Sequence, residues 1–417
     1  MNECQNTTTL LTSVYHGEMW KSAVLKENEF VIPIALYFDD FEKLIGLPPQ
    51  YSSNLDDILL LQLHNYQDHK NLGNKILSHI VDEIIDLSIN GIIIKIDKEQ
   101  KVLFRLMFIV GDNLGLNTIL GFSKGFNSQY YCRVCKITKK NTPNFVNEEQ
   151  KYIRTRNDYF NCVINSTFGI KEECVFNKIP NFHILENLSV DPMNDLLEGI
   201  CRYDISKILN NFINVEQFFT LEIFNERLLL FERRSFHENV PLPFNSESIK
   251  TEKIIITASE MYYLINNLSL MISDFIPENN LIWQLYLLLK KIVNISCSHF
   301  LTSKCIDLFH LAVSKYLSLH KKLFNIAFKP KHHILLHYAK IMKKSGPLMS
   351  SIRFEAKHRQ LKNYAKVITS RTNPSYTLAH KHQLKLCYRF VCAKGFSNRL
   401  QHDARLIKFT EIQNILI

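Results

Sequence analysis

Four carboxylates in this sequence stand where the chemistry of a hard divalent ion would need them. Asp39 and Asp40 follow directly on the apolar run FVIPIALYF, residues Phe30 to Phe38, and Asp112 follows Gly111 at the end of a second run, VLFRLMFIV. Carboxylates at the ends of adjacent strands point into one crevice, and Mg²⁺ or Mn²⁺ prefers such oxygen ligands. The fourth, Glu355, is the single carboxylate between Asp307 and Asp403, in a stretch crowded with Lys, Arg and His. It belongs to SSIRFEAKHRQLKNYAKVI, whose spacing predicts a helix. Phe354, Leu361, Ala365 and Ile368 form its apolar face, and Glu355, Arg359, Lys362 and Lys366 share another. With Arg353 and Lys357 beside them, that helix would deliver one metal ligand together with a row of phosphate-binding cations. Each residue has an ordinary reading too. Asp39 and Asp40 can end a strand, Asp112 can cap the following helix, and Glu355 can sit on a solvated basic face.

Cys132 and Cys135 form CRVC, a spacing suited to two of four Zn²⁺ ligands. The nearest candidates to complete the set are His183, Cys162 and Cys174. Buried free thiols would give the same spacing without a metal.

The elements that must position these residues open with an α/β pattern. Phe30 to Phe38 reads as a strand, with Pro33 suggesting an edge or the strand's beginning. ILLLQL, residues Ile58 to Leu63, is a second strand candidate. Asn74 to Asn90 carries helical apolar spacing and is closed by Asn90-Gly91. GIIIKI and VLFRLMFIV read as strands, the second apolar on both faces and so interior to a sheet. A polar loop runs from Lys136 to about Arg156, and Gly199 to about Phe328 is helical in pattern without a repeat. This order suggests an α/β domain interrupted by a helical insertion.

At 417 residues the chain can hold two to three domains, and its 46% hydrophobic and 22% charged content is globular. The formal charge of +10 favours a polyanionic partner. No apolar run is long enough to span a bilayer, and the first residues lack the pattern of a signal peptide. Ten scattered cysteines form no dense disulfide framework, so a reducing intracellular compartment is expected.

Several longer blocks carry a resemblance. GDNLGLNTILGFSKGFNSQYYCRVCKITKK, GIKEECVFNKIPNFH, DPMNDLLEGICRYD and KHHILLHYAKIMKKSGPLMSSIRFEAKHR resemble blocks of DDE-type DNA transposases found as repeated elements in animal genomes, most closely the CACTA-like branch. The resemblance covers about Phe30 to Arg389. It matches the family's first Asp to Tyr37 to Glu42 (Asp39 favoured over Asp40), its second to Asp112 and its Glu to Glu355. It implies an RNase H-like α/β core with a large all-helical insertion before the last catalytic helix. Divided accordingly, the chain has an N-terminal segment at 1–29, the first part of the core with a zinc-binding loop at 30–198, the helical insertion at 199–328, and a basic C-terminal part of the core at 329–417. It also implies that Asp39, Asp40, Asp112 and Glu355 hold Mg²⁺ or Mn²⁺ to hydrolyse a phosphodiester and then transfer the 3′-OH to target DNA. DNA as partner, nuclear residence, a homo-oligomer and no membrane association follow from that role.

Three departures from the family pattern also carry expectations. EKLIGLPPQYSSN reads as if the hairpin after the first strand were missing, which predicts a sheet without its second strand. The family's Asp-x-x-His signature stands here as Asp191-Pro-Met-Asn194, which should weaken metal binding or the orientation of a neighbour. The chain starts close to the core, so specific recognition of transposon ends is expected from elsewhere. The same residues fit a second class of function, a catalytically inactive, co-opted DNA-binding or interaction protein.

Overall fold

A computed structural model of the chain describes residues 10–11, 17–21, 30–38, 42–46, 55, 58–63, 73–95, 99–232, 239–251, 253–325, 328–369 and 372–392. The apolar runs become a mixed five-stranded sheet built from β1 (Phe30–Phe38), β2 (Glu42–Gly46), β3 (Leu59–Leu63), β4 (Ile92–Lys95) and β5 (Glu99–Gly111). Their spatial order is β3-β2-β1-β5-β4. The first three form an antiparallel meander, β5 lies parallel to β1, and β4 folds back antiparallel on β5.

The second strand is therefore present, contrary to the expectation from EKLIGLPPQYSSN. Glu42–Gly46 pairs with the last residues of β1, Phe38 opposite Lys43 and Ala35 opposite Gly46, and then with β3. Five residues ending in Gly carry too little alternation to announce a strand, and ladders on both sides supply what the pattern lacks. Pro33 sits in a strand interior to the sheet rather than at its edge. The missing N–H is tolerated because β2 reaches only Ala35 to Phe38, so at Pro33 the one described neighbour is Arg105 of β5.

Alternation along the two parallel strands divides the core. Ile34, Leu36 and Phe38 with Leu106 and Ile109 face Ile80, Val81 and Ile84 of the helix Ser78–Ile89 and Leu116 and Ile119 of the helix Asn113–Ile119. Ala35 and Tyr37 with Phe108 and Val110 face Phe354 and Leu361 of the helix Ile352–Val367. A register shift between Ile34 and Ala35 lets the parallel strands keep this division along their length. The helix Ser78–Ile89 ends where Asn90-Gly91 announced, with Gly91 at a φ of +62° that suits glycine.

The helical region has one continuous core. It takes in Leu196 to Phe212, Met261 to Ile272, Leu285 to Val293 and Phe309 to Leu317, and it also absorbs Tyr131 to Ile137 and Ile334 to Met342. The expected limits at 199 and 328 thus lie inside one packed unit, because the CRVC loop and the segment after 328 bury their apolar residues there. Among the described residues no helix is long and apolar enough to cross a membrane.

Packing of this kind has a direct consequence for stability. Leu36 is fully buried at the centre of the sheet, and Leu36→Ala should cost about 2–5 kcal/mol. Ile93→Ala on the exposed strand β4, where Ile93 is 62% exposed, should cost less than about 0.5 kcal/mol. Denaturant midpoints of the two variants measure the contrast.

Candidate functional site

β1 and β5 end level, Phe38 opposite Gly111, so Asp112 directly follows a strand end that borders the end of β1. Asp39 and Asp40 lie outside the described residues. Asp112 is exposed and takes the helix-capping role: its Oδ1 accepts the Gly115 N–H at 2.6 Å. A Cβ on Gly115 would come within 2.8 Å of that oxygen, so glycine keeps the carboxylate close to the helix start. Glu355 is half-buried, and its Oε1 accepts the Tyr37 hydroxyl at 2.5 Å. The Tyr37 ring stacks on Phe354 with centroids 5.0 Å apart and planes 5° apart. Tyr37 is the register partner of Val110, the residue before Gly111 and Asp112. The Glu355 carboxylate is thus held at the end of β1, the strand that borders the one leading to Asp112.

What fixes the start of the Glu355 helix is a buried acid that sequence reasoning assigned elsewhere. Asp191, 4% exposed, accepts the Ser351 N–H at 3.1 Å and the Ser351 hydroxyl at 2.5 Å. It also accepts the Met193 N–H at 3.0 Å and the Asn194 amide at 2.7 Å. Ser351 is the residue before the helix, and its carbonyl accepts the Glu355 N–H at 2.8 Å. Asn194, where the resemblance expects a histidine, also lies 3.4 Å from the Ser351 hydroxyl and braces this clamp. Burial pushes the Asp191 carboxyl up to about 6, although the Ser351 and Asn194 donors oppose the shift. No sequence spacing signals a contact between residues 160 apart.

A second buried network begins one residue after Asp112. The Asn113 amide donates to Asp195 at 2.6 Å, and the Tyr338 hydroxyl donates to the other Asp195 oxygen at 3.0 Å. Arg133, inside CRVC, donates to Asn113 at 3.1 Å and to Asn117 at 2.8 Å. The strand end, the CRVC loop and the helical unit are joined through these five side chains.

CRVC itself contributes to a group that could hold a metal ion. Cys132, Cys135, His333 and His337 are all buried and present ligand atoms within 4.8 Å of one another. Cys135 Sγ is 3.1 Å from His333 Nε2, and His337 Nδ1 is 2.6 Å from Glu148 Oε1. Among the described residues His337 Nε2 has no hydrogen-bond partner, as expected of a nitrogen available to a metal while a carboxylate orients the ring. Burial pushes the Cys132 thiol up, but Cys135, His337 and His333 outweigh it and hold the thiol well below its ordinary value. Cys135 is raised, by its bond to Cys132 and then by burial. Burial opposes protonation of His337, yet the Cys132 and Glu148 charges raise it to about 9.

His183, Cys162 and Cys174 do not complete this group. His183 Nδ1 accepts the Leu185 N–H at 3.2 Å and its ring packs edge-on to Tyr159, in the core beneath the sheet that also buries both cysteines. The histidines that meet CRVC, His333 and His337, stand about 200 residues further on, and their His-x3-His spacing is the signal the sequence offers. Of the basic residues on the Glu355 helix, Arg353, Arg359, Lys362 and Lys366 are exposed. Lys357 is not a surface cation: it is 3% exposed and donates to the Leu55 carbonyl at 2.9 Å. It falls three residues after Phe354, on the packed side of the helix. Ala365, expected on the apolar face, is exposed.

The Asp191 clamp has a pH signature. Its folded value near 6 exceeds an unfolded value near 3.8, so the fold binds this proton more tightly than the unfolded chain does. Its stabilising contribution is complete below about pH 4 and is lost as pH rises through 6, by up to about 3 kcal/mol. Asp191→Asn should flatten that slope in urea denaturation measured from pH 4 to 7. No protein-family model matches the chain, and no curated protein matches it.

Proposed function

We propose that this chain is the core of a DDE-type DNA transposase, with an RNase H-like sheet whose strand ends and Glu355 helix gather Asp39, Asp112 and Glu355 for DNA strand cleavage and transfer. The observation that carries the reading is the bond from Tyr37 to Glu355, which draws a residue of the last part of the chain to the end of the first sheet strand. The presence of β2 adds support, since a sheet without it would leave β1 poorly braced. Asp39, Asp112 and Glu355 would hold Mg²⁺ or Mn²⁺, which would supply Lewis acidity for phosphodiester hydrolysis and strand transfer. The chain's own residues do the positioning. Tyr37 and the Asp191–Ser351 clamp fix Glu355, the Gly115 N–H fixes Asp112, and Arg353, Arg359, Lys362 and Lys366 offer exposed cations to the DNA backbone. A DNA substrate places the protein in the nucleus.

Two thiols and two imidazoles in Cys-x2-Cys and His-x3-His spacing suit Zn²⁺. Bound there, it would pin the CRVC loop to the segment after Pro330 and play a structural part. A strong chelator should lower the melting temperature by several degrees, and added Zn²⁺ should restore it. Cys132→Ser combined with Cys135→Ser should remove that response.

The catalytic reading is tested by nicking of duplex DNA in Mg²⁺ or Mn²⁺. Glu355→Gln should reduce the rate by at least about 100-fold, and cleavage unchanged by this substitution would sink the assignment. Lys362→Ala and Lys366→Ala should weaken binding and each lower the salt slope by about 0.9. Salt-dependent binding without cleavage in either metal would identify instead an inactive, co-opted DNA-binding protein, which the exposed cations equally support.

A further inference from the structure

His332 and His333 are consecutive, yet they serve different clusters. His333 belongs with Cys132 and Cys135, whereas His332 meets Asp204 and His320. Asp204 comes from the helix Cys201–Asn210, His320 from Ser303–Phe324 and His332 from Pro330–Leu335. All three are at most 1% exposed, and each presents a ligand atom within 4.8 Å of the others. His320 Nε2 lies 3.3 Å from Asp204 Oδ1, and His332 Nε2 lies 3.3 Å from Asp204 Oδ2. The Tyr316 hydroxyl donates to Asp204 Oδ2.

We propose that Asp204, His320 and His332 form a second, structural site for a divalent transition-metal ion of the zinc class, distinct from the Cys132–His337 group. It stands independently of the catalytic reading. Zinc–nitrogen and zinc–oxygen bonds of about 2.0–2.2 Å in a tetrahedron place neighbouring ligand atoms about 3.3–3.5 Å apart. Each imidazole stands at that spacing from one carboxylate oxygen, His320 Nε2 from Oδ1 and His332 Nε2 from Oδ2, so one ion between them would be held by both oxygens of Asp204. A charge-assisted hydrogen bond would draw the same atoms to about 2.7–2.9 Å. Two imidazoles and one carboxylate are a donor set that suits zinc, and the Tyr316 hydroxyl braces the carboxylate by donating to it.

The surroundings are apolar and stiff. Phe324 lies 4.9 Å from the His320 ring, Phe328 lies 5.8 Å from both histidine rings, and Tyr316 stacks on His332 at 6.2 Å and 13°. Among the described residues Nδ1 of neither histidine has a hydrogen-bond partner, so ring packing does the orienting that Glu148 does at His337. Lys207 is the rival source of positive charge, with its ammonium 4.0 Å from Asp204 Oδ1. It is the outermost member, at the edge of the cluster and over the Phe324 ring at 5.1 Å. A metal here would tie three helices at one point and share the helix Pro330–Leu335 with the Cys/His group.

The full chain, produced with Zn²⁺ and freed of loosely bound ion by gel filtration, tests this by metal analysis and zinc X-ray absorption. Two zinc per chain with an average of one sulfur per zinc is the expected result. His320→Gln should lower the count to one and raise the average to two sulfurs. Cys132→Ser with Cys135→Ser should leave one zinc with nitrogen and oxygen neighbours only. Two sulfurs per zinc in the unaltered chain, or no bound zinc, overturns the proposal. That measurement needs no variant to fold and is indifferent to whether the chain cleaves DNA.

Discussion

A carboxylate taken out of water must find donors, and in this chain two buried acids find theirs on segments far apart in sequence. Asp191 is satisfied by Ser351, at the threshold of the Glu355 helix, and Asp195 by Asn113 and Tyr338. Breaking such a contact leaves an uncompensated buried acceptor, at a cost of about 1–3 kcal/mol or more. Because they stand on one short segment before the helical unit, Asp191 and Asp195 set the sheet end, the Glu355 helix and the helical core in fixed relation. That segment overlaps the π-helix Met193–Ile200, which contains Asp195, a rare geometry frequent at functional sites.

The cysteine–histidine group extends the same logic. Arg133 sits between Cys132 and Val134 and turns inward to Asn113 and Asn117, so the loop that offers thiols is bonded to the helix that Asp112 caps. Glu148, from the polar loop, reaches His337. A change at these ligands would therefore be felt at the strand ends through hydrogen bonds, without direct contact.

Much of the fold was legible because it rests on local pattern. The two-sided apolar run of β5, the spacing of the helix Ser78–Ile89 and its Asn-Gly stop are local signals, and each appears where the residues placed it. β2 was not legible, since a ladder on each side makes EKLIG a strand, and neighbours are invisible in one dimension. At the site, Asp112 and Glu355 could be singled out by the strand end and by an acid alone among bases. His333 and His337 carry no local signal that links them to CRVC, which lies about 200 residues earlier. Lys357 was misassigned because helical spacing gives the faces but does not say how far packing wraps around them. The role of Ser351 had no signature, since a serine before a helix usually caps it with its own side chain, and here it is held by Asp191 instead.

The bond between Tyr37 and Glu355 spans 318 residues, and that distance has a temporal meaning. At about 5–20 residues per second, a ribosome that has released Tyr37 needs roughly 15–60 s more to deliver its acidic acceptor. Throughout that interval the nascent sheet can assemble its meander and its parallel pair, but it lacks the glutamate. Premature termination before residue 355 therefore yields a sheet end whose Tyr37 hydroxyl never meets its carboxylate acceptor.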